Sequence, residues 1–183
     1  MKRVFWVVCA AALACLAGGS NAQDKDSKDN VIELDGTKST VPADWKKEKP
    51  KSSFRYAQFR VPRAEGDEVD AELVLFKGLG GSVKANVDRW KAQFIPPEGK
   101  KIDDVSSVKE MKVGGFPATY LDIRGTYNDM VPGSTKVTRR PGYRMLAVQV
   151  EGNDNPYHIK LIGPAKTIEK HKKAFDDWLK AFK

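Results

Sequence analysis

The residues of this chain that could do chemistry are few and widely separated. It has two histidines, His158 on a segment that alternates like a strand and His171 within a lysine-rich C-terminal stretch. General acid–base catalysis needs a second group within hydrogen-bond reach of such a ring, and no HExxH or GxSxG motif supplies one. We therefore predict no catalytic residues, interpret both histidines as ordinary surface or strand residues, and rank a hydrolase that uses His158 third among the functions.

Cysteine chemistry is confined to the N-terminus. Cys9 and Cys15 both lie in the first 22 residues, which combine a basic start, an apolar run from Val4 to Ala17 and small residues before Ala22. This pattern is typical of an export signal, residues 1–22, that is cut after Ala22. The apolar run is shorter than the roughly 20 residues that span a bilayer. Because the mature chain would lack thiolates, we expect no metal and no other cofactor.

A second processing route stays open at Cys15. The segment Ala12-Leu13-Ala14-Cys15 resembles the lipobox of bacterial lipoproteins, in which the cysteine is lipidated and becomes the mature N-terminus. The resemblance implies lipidation at Cys15 as the alternative to soluble export after Ala22. The protein is then expected to be periplasmic or secreted, or else anchored in the envelope by its lipid.

The best candidate for binding is the segment from Gly125 to Gly142, which contains two prolines and three glycines. We predict a long connection without regular structure, and such connections often carry binding residues. Its candidates are an aromatic, an apolar and several charged side chains: Tyr127, Asp129, Met130, Arg139 and Arg140. Two guanidinium groups could grip a carboxylate or a phosphate. The alternative is a loop without a function.

Arg89 is a further candidate, on a predicted helix that follows Ser82. Serine is a favoured helix N-cap, and apolar residues recur after it at helical spacing, at Val83, Val87, Trp90 and Phe94. Asn86, Arg89 and Gln93 share the opposite face. Solvation, a structural tie to a neighbouring loop and partner recognition are all open for them. The glycines before Ser82 lack the spacing of a phosphate-binding loop and indicate a tight turn.

Charge narrows the class of partner. The formal net charge of +8 falls to about +6 when Lys2 and Arg3 leave with the signal, and a positive balance attracts anionic surfaces and polymers. No long basic tract is present, so we predict no nucleic-acid partner. We expect an envelope protein or an anionic envelope component instead, with membrane contact only through lipidation. The sequence does not indicate the oligomeric state.

The rest of the sequence predicts a single domain. Residues 23–30 form a polar, flexible lead-in, and residues 31–183 suffice to bury roughly 70% of their unfolded surface. Strands are expected at residues 31–34, 54–61, 69–76, 105–113, 118–123, 143–150 and 157–162. One helix follows Ser82, and a second begins with Pro164 as its first residue. Antiparallel hairpins with helices packed on the sheet give an α+β fold.

Two stretches resemble an uncharacterised family of exported bacterial proteins. Residues 80–94 are similar to its GG…N..RW..QF segment, and residues 157–164 to its final strand and the start of its last helix. More loosely, the element order and the short motif at residues 41–45 resemble the PsbP-like fold. That resemblance implies an α/β/α sandwich around an antiparallel sheet and a non-enzymatic extrinsic or assembly protein.

The leading expectation is a non-enzymatic exported envelope protein that acts as a binding or assembly module. Its partner is not named by the sequence. The alternative is a periplasmic carrier of a small apolar ligand or lipid. A carrier would need an apolar cavity between sheet and helix, under Trp90 or Trp178.

Overall fold

A computed structural model describes residues 30–130 and 136–183 of the protein. The expectations for residues 1–22, for Cys15 and for residues 23–29 lie outside the described residues. Within the described ranges the chain forms ten strands and two α-helices. The α+β class predicted from the sequence is therefore confirmed.

Most of the strands form one antiparallel sheet. They are β1 (Val31–Leu34), β2 (Thr37–Thr40), β3 (Lys46–Lys47), β4 (Arg55–Val61), β5 (Ala71–Lys77), β6 (Phe94–Ile95), β7 (Ser106–Val113), β8 (Phe116–Met130), β9 (Val137–Val150) and β10 (Tyr157–Pro164). The order across the large sheet is β3-β4-β5-β10-β9-β8-β6, with β7 also beside β8, while β1 and β2 pair separately. The last strand in the chain thus lies near the middle of the sheet.

The two helices, α1 (Val83–Lys91) and α2 (Ala165–Lys180), cover opposite faces of the sheet. Successive strand side chains point to opposite faces, so one strand serves two cores. In β9, Leu146 and Val148 belong to the core under α2 and the β1–β2 hairpin. Met145 and Ala147 belong to the core under α1. The chain is therefore layered, with the sheet in the middle.

Helix α1 begins as the sequence predicted and ends earlier. The Ser82 hydroxyl accepts a hydrogen bond from the Ala85 N–H at 3.2 Å, which makes Ser82 the N-cap. The helix stops at Lys91, so Phe94 is buried from the short strand β6 and not from the helix. The predicted apolar face is retained, because Phe94 packs in the same core as Val87 and Trp90, with Val83 against it.

The segment from Gly125 to Gly142 is not the long unstructured connection that the sequence predicted. Its described residues continue β8 and β9 as one long hairpin. The register shifts between Gly125 and Tyr127, and this bulge accommodates Pro141, which has no N–H to give to a ladder. Gly125 has φ 155°, and a Cβ there would lie 2.5 Å from the Ile95 carbonyl oxygen. Glycine and proline therefore mark a bend in a hairpin here.

The start of α2 is capped from a distant loop. Pro164 is the N-cap and not the first helical residue, so the helix begins one residue later than predicted, and Pro164 offers no side-chain hydrogen bond. The Asp67 carboxylate accepts instead from the Thr167 N–H at 2.9 Å and from the Thr167 hydroxyl at 2.6 Å. A carboxylate is favourable at a helix N-terminus because the free N–H groups there are partly positive. The β4–β5 connection thus holds α2 in place.

His171 is not a surface residue, although lysines surround it in the sequence. It is 4% exposed, because Ile168 and Phe175 place it on the apolar stripe of α2. Its Nδ1 accepts from Trp45 Nε1 at 3.2 Å, and its Nε2 lies 2.8 Å from the Pro62 carbonyl oxygen. These contacts assign the neutral ring with the proton on Nε2. They fix the segment before β3 to the last helix.

Candidate functional site

The α1 face of the sheet is covered only in part. Helix α1 lies on β8 and β9, and it reaches β10 with Trp90, whose ring meets the His158 ring edge-on at a centroid distance of 5.6 Å. Beside it on the same face β10 presents Lys160, which lies opposite Val74 of β5 and Ala147 of β9. A basic side chain of β10 therefore lies on the part of the α1 face that borders helix α1.

Lys160 is the central residue of the surface beside helix α1. It is half-buried, and its Nζ lies 5.4 Å from the centre of the Trp90 ring, within cation–π range. In the described part of the chain, no carboxylate forms an ion pair with this Nζ. Burial first, and then the positive charges of Arg89 and Arg55, lower its pKa to about 8. The site holds a cation whose charge the protein does not compensate.

Arg89 is held over this region by a chain of neutral amides. Its Nη2 donates to Asn86 Oδ1. The Asn86 amide nitrogen in turn donates to Gln149 Oε1 at 2.8 Å and to the Gly81 carbonyl at 3.1 Å. Gln149 is the cross-strand partner of His158. The helix face assigned to Asn86 and Arg89 is therefore not simply solvated, since Asn86 is fully buried.

His158 lies beneath these cations, on the predicted strand. It is 1% exposed, and neither ring nitrogen has a hydrogen-bond partner among the described residues. Burial first, and then the charges of Arg89 and Lys160, lower its pKa to about 4. The ring is therefore neutral at pH 7.

The nearest acidic residue of β5 on this face is already paired. Glu72 lies two residues before Val74, and it accepts from Lys51 Nζ at 2.6 Å and from Arg55 Nη1 at 3.0 Å. Its charge is thus balanced by other cations and not by Lys160. We refer to Arg55, Arg89, His158 and Lys160 as the basic cluster.

The bent end of the β8–β9 hairpin forms a second group, which we call the hairpin arm (described residues 125–130 and 136–142). The ring of Tyr127 stacks on Tyr143 at 6.1 Å and 11°. Arg140 lies 6.0 Å from the Tyr143 ring centre, and its Nε donates to Asp129 Oδ2 at 2.9 Å. This hydrogen bond raises the pKa of Arg140. The base of the arm is therefore held together by its own side chains.

The base of the arm contributes to the α1 face of the sheet. Burial first, and then the carboxylates of Asp129 and Glu72, raise the pKa of Tyr127 to about 12, while Arg55 and Arg140 act in the opposite direction. Glu72 and Arg55 belong to β5 and β4, across the sheet from β8. Tyr127 also packs against the core under α1, so the base of the arm lies on the α1 face.

The six residues singled out from the sequence fall into three environments. Tyr127, Asp129 and Arg140 meet at the base of the arm, where Arg140 is paired and not free to grip an external anion. Met130 and Arg139 are exposed farther along the arm. Arg89 lies apart from them on α1, in the basic cluster.

The carrier and the hydrolase hypotheses each depend on a different part of the structure. Trp178 packs between Phe175 and Phe182, at ring distances of 5.9 and 5.3 Å, and Trp90 is fully buried. A surface cleft of about 480 Å³ opens elsewhere, beside α1, and is lined by Asp88, Lys91, Ala92, Phe94, Ile102 and Asp103. For the hydrolase hypothesis, no acid or hydroxyl lies within hydrogen-bond reach of His158 in the described part of the chain.

Residues 30–130 and 136–183 lack two further kinds of feature. In these ranges, no group of three or more histidine, cysteine, aspartate or glutamate residues is arranged to hold a metal ion. No helix there is long and apolar enough to cross a membrane.

Lys160 and Arg55 were missed from the sequence, and a signal existed for the first of them. Apolar residues alternate with His158 and Lys160 along β10, at Tyr157, Ile159 and Leu161. A period of two therefore puts His158 and Lys160 on one face. That β5 and α1 meet at this face could not be read from the sequence, because the strand order is not local.

Comparison with known proteins adds little to this geometry. No family model matches the chain, and no curated protein matches it. Among solved structures, the chain is similar to PA94 of Pseudomonas aeruginosa, a protein of unknown function. The TM-score is 0.43 and the identity 13%, over 80% of this chain and 90% of that one. Similarity at this level carries no argument about fold or function.

Proposed function

We propose that the protein is a non-enzymatic binding or assembly module of the bacterial envelope, which acts through the hairpin arm. The observation that carries the proposal is the reach of the arm beyond the central sheet. The pairing of β9 with β10 ends at Tyr143, whereas β9 itself begins at Val137. Met130 and Val137 are 55% and 48% exposed on this extension. An ordered base thus presents exposed apolar side chains and the cation of Arg139.

The contacts within the arm favour binding for a physical reason. Association costs free energy when mobile side chains and loops become ordered, and a preorganised segment avoids part of that cost. The Tyr127–Tyr143 stack and the Arg140–Asp129 ion pair order the arm before any partner arrives. Methionine and arginine are also enriched in protein interfaces. An envelope protein or an anionic envelope component is the class of partner that we propose.

The layered architecture supports the same proposal at the level of the fold. A sheet with helices on both faces is what the PsbP-like resemblance implies, and we propose that the chain shares that fold. Fold alone does not fix function. The proposal therefore depends on the arm.

The arm can be tested by placing a photo-crosslinking amino acid at Met130 in the full chain, expressed in cells that export it. Val108 of β7 is the matched control, because it is 47% exposed and lies on another strand. We expect one defined adduct from position 130 that position 108 does not give. Identical adducts from both positions, or none from position 130, would contradict the proposal.

Single arginine variants then separate recognition from order. Arg139→Ala removes an exposed charge, so it should weaken the adduct without changing the arm. Arg140→Ala removes the ion pair with Asp129, so it should also raise the protease sensitivity of the arm. If neither variant changes the adduct, the arginines are not part of the recognition.

Export and anchoring have their own measurement. The intact mass of the mature protein distinguishes a chain that begins at Gln23 from one that begins at a lipidated Cys15. A protein that keeps residues 1–22 and stays in the cytoplasm would overturn the envelope assignment.

A further inference from the structure

We propose that the protein binds a phosphate group, free or as a monoester, between Lys160 Nζ and the Arg89 guanidinium on the α1 face of the sheet. This site is separate from the hairpin arm and does not depend on the proposed function.

The first argument is an excess of positive charge. Lys160 has no carboxylate partner in the described part of the chain, and Arg89 donates to the neutral amide of Asn86. Glu72 is paired with Lys51 and Arg55. Arg89 is exposed, but Lys160 is half-buried, and a charge that is partly removed from water is costly unless it is paired. Two uncompensated cations match the two negative charges that a phosphate monoester carries near neutral pH.

The second argument is that the position of Arg89 is built into the core. Asn86, which accepts from the guanidinium, is fully buried and is itself fixed by Gln149 and by the Gly81 carbonyl. The guanidinium therefore keeps its place without a carboxylate. Its planar set of donors suits a phosphate, and the lysine adds a point charge.

The third argument is independent of charge. His158 is 1% exposed, and both of its ring nitrogens lack a hydrogen-bond partner among the described residues. Buried polar side chains are nearly always satisfied, so these two nitrogens are open to a hydrogen bond from outside the chain, as are Ser106 Oγ and Trp178 Nε1 elsewhere. The His158 ring lies against Trp90, the same ring that Lys160 Nζ faces.

A purely structural interpretation of Lys160 makes a different prediction. In that case the Trp90 ring alone would stabilise the ammonium, and the lysine stem would simply cover apolar surface. Phosphate would then not distinguish the wild type from Lys160→Met, which keeps the length of the stem.

The chain provides its own reporters, because its two histidines lie on opposite faces of the sheet. We would follow their Hε1 resonances by NMR in the mature chain without a polyhistidine tag. Inorganic phosphate is added at pH 7, with chloride at equal ionic strength as the reference. We expect a saturable shift of the His158 signal and none of the His171 signal. No shift of the His158 signal would overturn the proposal.

Three variants test which cations are responsible. We expect Lys160→Met and Arg89→Gln each to weaken phosphate binding by at least about tenfold, since each removes a charge-assisted hydrogen bond. Lys84→Met is the matched control, because Lys84 pairs with Asp88 on the outer side of α1. Equal binding by the wild type, Lys160→Met and Arg89→Gln would overturn the site. An unchanged His171 signal shows that each variant is folded.

Two further additions define the ligand. Acetate that shifts the His158 signal as strongly as phosphate would overturn the assignment to phosphate. Flotation with phosphatidylcholine vesicles, with or without 20% phosphatidic acid, compares a lipid monoester with the free ion. Binding that needs phosphatidic acid and Lys160 supports the lipid headgroup as the source, whereas saturation by the free ion supports a soluble phosphate. The crosslinks from Met130 are read out separately, so either proposal can fail alone.

Discussion

The two faces of the sheet handle basic residues in opposite ways. On the α2 face, Arg144 of β9 is 3% exposed, and its Nε and Nη2 donate to the two carboxylate oxygens of Asp122 at 2.8 and 2.6 Å. Its Nη1 donates to Glu169. On the α1 face, Lys160 of the neighbouring strand β10 has no carboxylate as an ion-pair partner in the described part of the chain. The fold can thus pair a cation in the middle of the sheet, and at Lys160 it does not.

The histidines repeat this contrast. His171 on the α2 face has a partner at each nitrogen, Trp45 on one side and Pro62 on the other. His158 on the α1 face has none among the described residues. The α2 face pairs its central cation and its histidine within the chain, although Trp178 Nε1 on that face also lacks a partner among the described residues. The α1 face leaves both Lys160 and His158 as polar groups that an external partner could satisfy.

The largest expected effect tests the paired charges on the α2 face. Arg144→Met should lower the free energy of unfolding by about 3 kcal/mol, because it leaves Asp122 half-buried without a counter-charge. Arg124→Met is the control, since Arg124 pairs with the same Glu169 at 3.1 Å but is 55% exposed. That change should cost less than about 1 kcal/mol. Urea unfolding measures both, and equal losses would break the contrast between the faces.

The next effect concerns His158 and acid. Its pKa is about 4 in the folded chain and 6.5 as the reference value, so the unfolded chain takes up the proton first as the pH falls. The wild type should therefore lose up to about 3 kcal/mol of stability between pH 6.5 and pH 4. His158→Phe should lack this part of the loss. Unfolding curves measured across this range check the difference, and parallel curves would contradict it.

A smaller effect, of opposite direction in pH, concerns Lys160. Its pKa of about 8 lies below the reference value of 10.5, so the folded chain releases the proton first as the pH rises. In phosphate-free buffer the wild type should gain about 2 kcal/mol relative to Lys160→Met between pH 8 and pH 10.5. The stability of the wild type relative to Lys84→Met should not change over this pH range. A constant difference between the wild type and Lys160→Met would place Lys160 in an ordinary solvated environment.

The smallest expected effect concerns Arg89 on the α1 face. Arg89 is exposed on α1 but donates to the buried Asn86 Oδ1, so Arg89→Gln should lower the free energy of unfolding by about 1 kcal/mol. The charge of Arg89 also lowers the pKa of His158, so the variant should raise it. An NMR titration of the His158 ring measures the change, with His171 as internal reference. An unchanged pKa would remove Arg89 from the basic cluster.

Local patterns in the sequence predicted much of the fold. Alternation located β4, β5, β7 and β10 within a few residues, and Ser82 correctly marked the start of α1. The hairpin arm was missed because Gly125, Pro141 and Gly142 are typical of loops. A bulge makes them compatible with strands only once the register of β8 against β9 is known.

The site was harder to predict than the fold. His171 could have been assigned to the core, since it lies three residues after Ile168 and four before Phe175 on one helix face. The basic cluster could not have been found in this way. It joins β4, β10 and α1, whose proximity follows from the strand order and from no local pattern.

The central place of β10 has a consequence for how the chain matures. β5 is made long before residues 157–164, and β9 immediately before them, yet the two strands are joined only through β10, which pairs Tyr157 with both Lys77 and Val150. Until then the β4–β5 hairpin keeps an open edge with Leu73 and Leu75 unprotected, a condition that favours aggregation. Pairing across so long a separation is also slow. A chain cut short before Tyr157 is therefore not a smaller domain but two unjoined parts of the sheet, one with β3, β4 and β5 and the other with β6, β7, β8 and β9.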